Sequence, residues 1–75
     1  MSREISLVEI FKTNVQEVDH AKVIVDKLHD HYPNTRINFA LDDCDKILRV
    51  EGAGVCRQKI IEVLNQLGFA AEILV

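Results

Sequence analysis

A candidate metal site can be built from side chains that lie far apart in this chain. Glu17 and His20 are three residues apart in a segment with helical periodicity, so both would lie on one helical face. Cys44 lies in the acidic turn DDCDK, residues 42–46. Carboxylate, imidazole and thiolate are all zinc ligands, so Glu17, His20 and Cys44 could hold zinc or another transition metal, with water as a fourth ligand. Asp43 or Asp45 could also contribute.

A simpler interpretation explains the same residues without a metal. Acidic side chains such as Glu17 and Asp19 stabilise the positive end of a helix dipole, and His20 is then a solvated residue of the first turn. The DDCDK segment is then an acidic, solvated hairpin turn with an incidental cysteine. Both interpretations stay open at the level of the sequence.

No catalytic constellation is recognisable in the sequence. Gly52-Ala53-Gly54 lacks the lysine and the serine or threonine of a phosphate-binding loop. No nucleophile stands with a base and an orienting group, so we do not expect an enzyme. Cys56 precedes Ile60 by one helical turn, which predicts a small core residue. We expect no disulfide between Cys44 and Cys56, because the predicted topology places them at opposite ends.

Composition predicts one small cytoplasmic domain, residues 1–75. The chain has 48% hydrophobic and 28% charged residues and a net charge of -3. It shows no cationic cluster, so a nucleic-acid partner is not expected. It has neither a signal-peptide block nor an apolar run of the ~20 residues that cross a bilayer, so no membrane association is expected. The two cysteines are typical of free thiols in a reducing compartment.

Hydrophobic periodicity predicts six elements. They are a strand at Ile5–Lys12, a helix at Glu17–His31, strands at Thr35–Asp42 and Ile47–Glu51, a helix at Val55–Leu67 and a strand at Phe69–Val75. The order strand-helix-strand-strand-helix-strand predicts an α+β, ferredoxin-like βαββαβ fold. Both helices should cover one face of a four-stranded antiparallel sheet.

The predicted topology brings functional candidates to two places. Three loops should meet at one end of the sheet: residues 13–17, the DDCDK turn and the turn at residues 67–69. The sheet face without helices should be partly apolar, although the first strand can be read in two phases. In one phase this open face shows Ser6, Val8, Ile10, Asn38, Ala40, Ile47 and Arg49. Such a patch often marks an interface, whereas scattered apolar side chains are normal on any surface.

The C-terminal segment IIEVLNQLGFAAEILV, residues 60–75, resembles the end of a heavy-metal-associated (HMA) domain. That family combines an apolar helix, a Leu-Gly-Phe type of turn and a short strand. The similarity extends over the whole chain in length, element order and apolar spacing. It implies the scaffold of soft-metal chaperones and of the small domains of metal-pumping ATPases.

The resemblance breaks at the ligands of the family. The first loop of an HMA domain reads Gly-Met-Thr-Cys-x-x-Cys. Alignment on the apolar stripe places Asn14, Val15 and Gln16 at the first three positions, and Glu17 and His20 at the two cysteines. Val15 keeps an apolar plug, but both thiolates are missing. Cu(I) prefers thiolates, so the activity typical of the family is not expected here.

Three functions are compatible with these patterns. The first is a small non-catalytic binding or interaction module, with a protein partner or a second copy on the open sheet face. The second is a metal-binding protein of altered selectivity that uses Glu17, His20 and Cys44. The third is a regulatory ligand-binding domain that acts as a dimer.

Overall fold

The structure, a computed structural model, describes residues 7–74. Its elements are β1 (Leu7–Thr13), α1 (Val18–His31), β2 (Arg36–Ala40), β3 (Ile47–Gly52), α2 (Arg57–Gln66) and β4 (Ala71–Ile73). The strands form one antiparallel sheet in the order β2-β3-β1-β4. The predicted α+β, ferredoxin-like arrangement is confirmed. The predicted start of the first strand, Ile5, and the predicted end of the last strand, Val75, lie outside the described residues. Ser6, which was predicted on the open face, also lies outside them.

The strand β1 shows how the sheet divides into a buried and an open face. Phe11 and Thr13 are buried, whereas Val8 and Ile10 are exposed. Successive side chains of a strand point to opposite faces, so this alternation settles the phase that the sequence left open. As expected for a strand apolar on both sides, β1 is internal, between β3 and β4.

The hydrophobic core lies between the helices and the buried sheet face. The helix α1 buries an apolar stripe of Ala21, Ile24 and Leu28, and α2 contributes Ile60, Val63 and Leu64. The sheet and the first loop supply the remaining core side chains, which are Phe11, Val15, Ile37, Leu48 and Val50. Full burial of an apolar side chain stabilises by about 1.5–3 kcal/mol, so this single layer is the main favourable contribution to folding.

Backbone geometry ends each helix where the sequence suggests. The chain leaves α1 at Tyr32, directly before Pro33, because proline disfavours helical geometry in the residue before it. Gly68 follows α2 with φ +91°, and the amide of Phe69 donates to the carbonyl of Leu64 at 2.8 Å. Together with the bond from the amide of Gly68 to the carbonyl of Asn65 at 3.0 Å, this is a Schellman cap. Within residues 7–74, no helix has the length and apolarity to cross a membrane.

The prediction that Cys56 is a core residue is wrong. Cys56 is exposed and stands at the N-cap of α2 in an extended conformation. Its amide donates to the hydroxyl of Tyr32 at 3.3 Å. The cause is the later start of the helix: α2 begins at Arg57, and its first buried residue is Ile60. Cys44 is also exposed, and both cysteines are free thiols.

Candidate functional site

The end of the sheet at which the first loop lies is held together by Thr13. Its amide donates to the carbonyl of Asp45 at 3.1 Å, and its hydroxyl donates to the carbonyl of Lys46 at 2.6 Å. The same hydroxyl accepts the amide of Val15 at 3.2 Å. Since Thr13 is buried, these bonds are shielded from water. They connect the first loop to the hairpin between β2 and β3.

The first loop also contacts the turn between α2 and β4. The side-chain oxygen of Asn14 accepts the amide of Ala70 at 2.9 Å. The rings of His20 and Phe69 lie 5.3 Å apart between centroids, a distance typical of a favourable aromatic contact. The predicted meeting of three loops is therefore confirmed, and we call this region the loop end. Val15 is fully buried beneath it.

The hairpin at the loop end concentrates potential metal ligands. Ligand atoms of Asp43, Cys44 and Asp45 all lie within 4.8 Å of one another. Two of the three side chains already have partners: an Asp43 carboxylate oxygen accepts the amide of Asp45 at 2.9 Å, and Asp45 lies 3.9 Å from the ammonium of Lys12. Lys46 adopts φ +48° at the end of the turn, and its ammonium donates to the carbonyl of Leu41 at 2.8 Å.

The three residues of the candidate metal site have different surroundings. Glu17 is the exposed N-cap of α1 and makes no side-chain cap bond. His20 lies against Phe69, on the turn before β4. Cys44 lies beside Asp43 and Asp45. Among residues 7–74, these three form the group of potential metal ligands whose ligand atoms lie close together. The structure thus groups Cys44 with the two acids that were the optional ligands, and leaves Glu17 and His20 outside that group.

A second candidate region is the open face of the sheet. Val8 is 39%, Ile10 36% and Leu74 41% exposed. The amide of Leu74 donates to the carbonyl of Ile10 at 2.8 Å, so the ladder between β1 and β4 brings their side chains together. Three large apolar side chains therefore lie side by side in water. The sequence analysis did not place Leu74 on the open face. The usable signal was that Ile73 and Leu74 are neighbours in a strand, so their side chains point to opposite faces of the sheet.

Charged side chains of both signs surround this apolar patch. The register places Glu51 opposite both Val8 and Arg36, and Arg49 opposite Ile10. Lys12 lies opposite Glu72 on β4. The open face therefore combines an apolar centre with a mixed polar rim, which is the anatomy of a protein interface. The full face consists of Val8, Ile10, Lys12, Arg36, Asn38, Ala40, Ile47, Arg49, Glu51, Glu72 and Leu74.

A groove of about 530 Å³ separates α1 from β2. Its lining is mainly apolar, and four of the ten lining residues are polar. Val18, at the start of α1, is 62% exposed at the mouth of the groove. No sequence pattern predicted this groove, because it depends on where α1 lies over the sheet. Its lining residues are Val18, Ala21, Lys22, Val25, Asp26, Ile37, Asn38, Phe39, Leu41 and Asp42.

Comparison with known proteins gives no relative for this chain: no family model, curated protein or solved structure matches it.

The Thr13 hydroxyl can be tested with two substitutions. Thr13→Val keeps the shape of the side chain but leaves the Lys46 carbonyl and the Val15 amide without their partner. A buried group that loses its hydrogen bond costs about 1–3 kcal/mol. Thr13→Ser keeps the hydroxyl and should cost only about 0.8 kcal/mol for the lost methyl group. Urea unfolding measures both values, and a Thr13→Val protein as stable as Thr13→Ser would contradict the assignment.

Zinc titration followed by native mass spectrometry tests the placement of the ligands. Any zinc that the chain takes up should depend on Cys44, because Cys44 is the thiol within reach of two carboxylates. We expect Cys44→Ser to remove zinc binding and His20→Ala to leave it unchanged. Equal losses in the two variants would instead favour the site of Glu17, His20 and Cys44.

Proposed function

We propose that this chain is a small non-catalytic interaction module of the cytoplasm, which binds a second copy of itself through the open face. The proposal rests on one observation: the apolar side chains of Val8, Ile10 and Leu74 are neighbours on this face, and all three are exposed. The two helices contact only the other face, so nothing in residues 7–74 covers these side chains. Contiguous apolar surface with a polar rim is what protein partners bind.

The charges of the open face suit a second copy of the chain. In a two-fold dimer the same surface meets itself, so a face of one sign would repel its copy. The face carries cationic Arg36, Arg49 and Lys12 beside anionic Glu51 and Glu72. This near balance lets opposite charges pair across the two-fold axis. The whole chain, by contrast, has a net charge of -3, which also makes nucleic acid a poor partner.

The dimensions of the face predict a weak, concentration-dependent dimer. Four strands at about 4.8 Å spacing and six residues at about 3.3 Å give a surface of roughly 19 Å by 20 Å. A contact of this extent belongs to the small interfaces, which are typical of transient association. Each apolar side chain on the face counts twice in a symmetric dimer, so the patch supplies most of the favourable burial.

In this proposal the chain keeps the scaffold of an HMA domain and not its metal transfer. Buried Val15 supports the scaffold, since it lies where the family has its apolar plug. Glu17 and His20 stand at the positions of the two thiolates, and neither joins the ligand group of the hairpin. The loop end then has a structural role, because hydrogen bonds of Thr13 and Asn14 connect its loops.

A metal-binding function is the second candidate. The observation that favours it is the cluster of Asp43, Cys44 and Asp45. One thiolate and two carboxylates are a mixed ligand set that zinc accepts and that Cu(I) does not prefer. The bonds that already engage Asp43 and Asp45 compete with an ion.

Sedimentation velocity over a concentration series tests the open face. Ile10→Lys places a charge in the centre of the patch, and its association constant should fall at least about tenfold, which is about 1.4 kcal/mol. Val23→Lys is the matched control, because Val23 is 54% exposed on α1, away from the sheet. It should sediment like the wild-type protein. If all three proteins give the same curves at every concentration, the open face is not an interface.

A further inference from the structure

The strand β2 has a free edge. It pairs with β3 on one side only, since the sheet order is β2-β3-β1-β4. On its other side, the outward-pointing backbone N–H and C=O groups of alternate residues in Arg36–Ala40 have no strand partner among the described residues. Such an edge is a template for another strand unless a proline, a bulge or a covering segment blocks it. Residues 36–40 contain no proline, and their register with β3 is continuous.

The groove beside this edge provides room for the side chains of an added strand. Ile37, Phe39 and Leu41 point into the groove beneath α1. Alternate residues of a strand share a face, so a strand paired to the β2 edge would send its own alternate side chains into the same groove. A partner strand is therefore expected to have an apolar residue at every second position.

The segment at the β2 edge has this alternating pattern itself. It also carries opposite charges at its two ends, so it is complementary in charge to an antiparallel copy of itself. Residues 36–42 read Arg-Ile-Asn-Phe-Ala-Leu-Asp, with Phe39 at the centre. Antiparallel pairing about Phe39 would place Arg36 beside Asp42 of a second copy, the second turn residue after β2, twice in the dimer. It would also place Ile37 opposite Leu41 of the second copy, and both of these residues line the groove. Opposite charges and apolar pairs on facing strands are the stabilising combinations.

We propose that the β2 edge pairs antiparallel with the β2 edge of a second copy, centred on Phe39. The two sheets then continue as one, and the half-buried Phe39 of each copy helps to fill the groove of the other. Leu41 and Asp42 are the two turn residues that directly follow β2, so they lie at the end of the edge, beside Ile37 and Arg36 of the second copy. The long side chain of Arg36 reaches the carboxylate of Asp42 in the second copy. This contact uses the strand edge and does not rest on the open face, although the side chain of Arg36 belongs to both surfaces.

Charge reversal tests the pairing, and the Ile10→Lys background removes the contribution of the open face. Arg36→Glu leaves acids opposite each other, and Asp42→Arg leaves bases opposite each other, so each variant alone should associate at least about tenfold more weakly than the Ile10→Lys parent, or about 1.4 kcal/mol. Mixed one to one, the variants regain both ion pairs as a heterodimer. The mixture should recover the association of the parent in sedimentation and appear as a heterodimer in native mass spectrometry.

The outcomes separate this inference from the proposed function. Far-ultraviolet circular dichroism confirms folding, which both substitutions should preserve because Arg36 and Asp42 are exposed. If the Ile10→Lys parent stays monomeric at millimolar concentration, the pairing of β2 edges is overturned. It is also overturned if the mixture associates no more strongly than each variant alone. Recovery in the mixture supports the pairing even if Ile10→Lys alone has no effect, a result that would reject only the open face.

Discussion

Two helices can cover only one side of a four-stranded sheet, and this constraint shapes the rest of the molecule. The alternation in β1 decides which side it is: Phe11 and Thr13 enter the core, and Val8 and Ile10 point the other way. The covered side supplies the hydrophobic core. The uncovered side keeps its apolar side chains in water, because the described chain contains no third layer. An apolar surface that residues 7–74 leave uncovered is the kind of surface to which protein partners bind.

The loop end shows how a potential site can become a structural joint. Thr13 binds the first loop to the hairpin, and Asn14 binds it to the turn before β4. His20 packs on Phe69, so this candidate metal ligand makes an aromatic contact. Hydrogen bonds thus join the three loops of this region, and within residues 7–74 a cluster of potential metal ligands remains in the hairpin.

The two proposed contacts are geometrically compatible. Antiparallel pairing of β2 edges places its two-fold axis perpendicular to the sheet, so the open faces of both copies lie on the same side. A pair of such sheets can then stack face to face about an axis parallel to the sheets. Perpendicular two-fold axes of this kind close into a tetramer of dihedral symmetry, without unlimited growth.

Much of the fold was predictable from the sequence, because the period of the apolar residues differs between helices and strands. The core positions Ile24, Leu28 and Ile60 follow from that period alone, and Gly68 follows from the geometry of helix ends. The burial of Cys56 was misjudged, since the periodic pattern does not define the first turn of α2. The phase of β1 needed the structure, because both of its faces are apolar in sequence.

Neither the Thr13 hydrogen bonds nor the groove could be predicted in the same way. Thr13 and Lys46 are separated by 33 positions in the chain, and their contact depends on the register of β1 against β3. The groove depends on the displacement of α1 relative to the β2 edge. Both are properties of packing between elements, for which a single sequence has no periodic signal.

The central claim, that a second copy covers the open face, is tested most directly by nuclear Overhauser effects between copies. A sample that mixes isotope-labelled with unlabelled protein reports contacts between molecules only. We expect the methyl groups of Ile10 and Leu74 to show intermolecular effects that weaken on dilution. If these methyl groups contact no second molecule at concentrations where the protein is associated, the account of the open face is wrong.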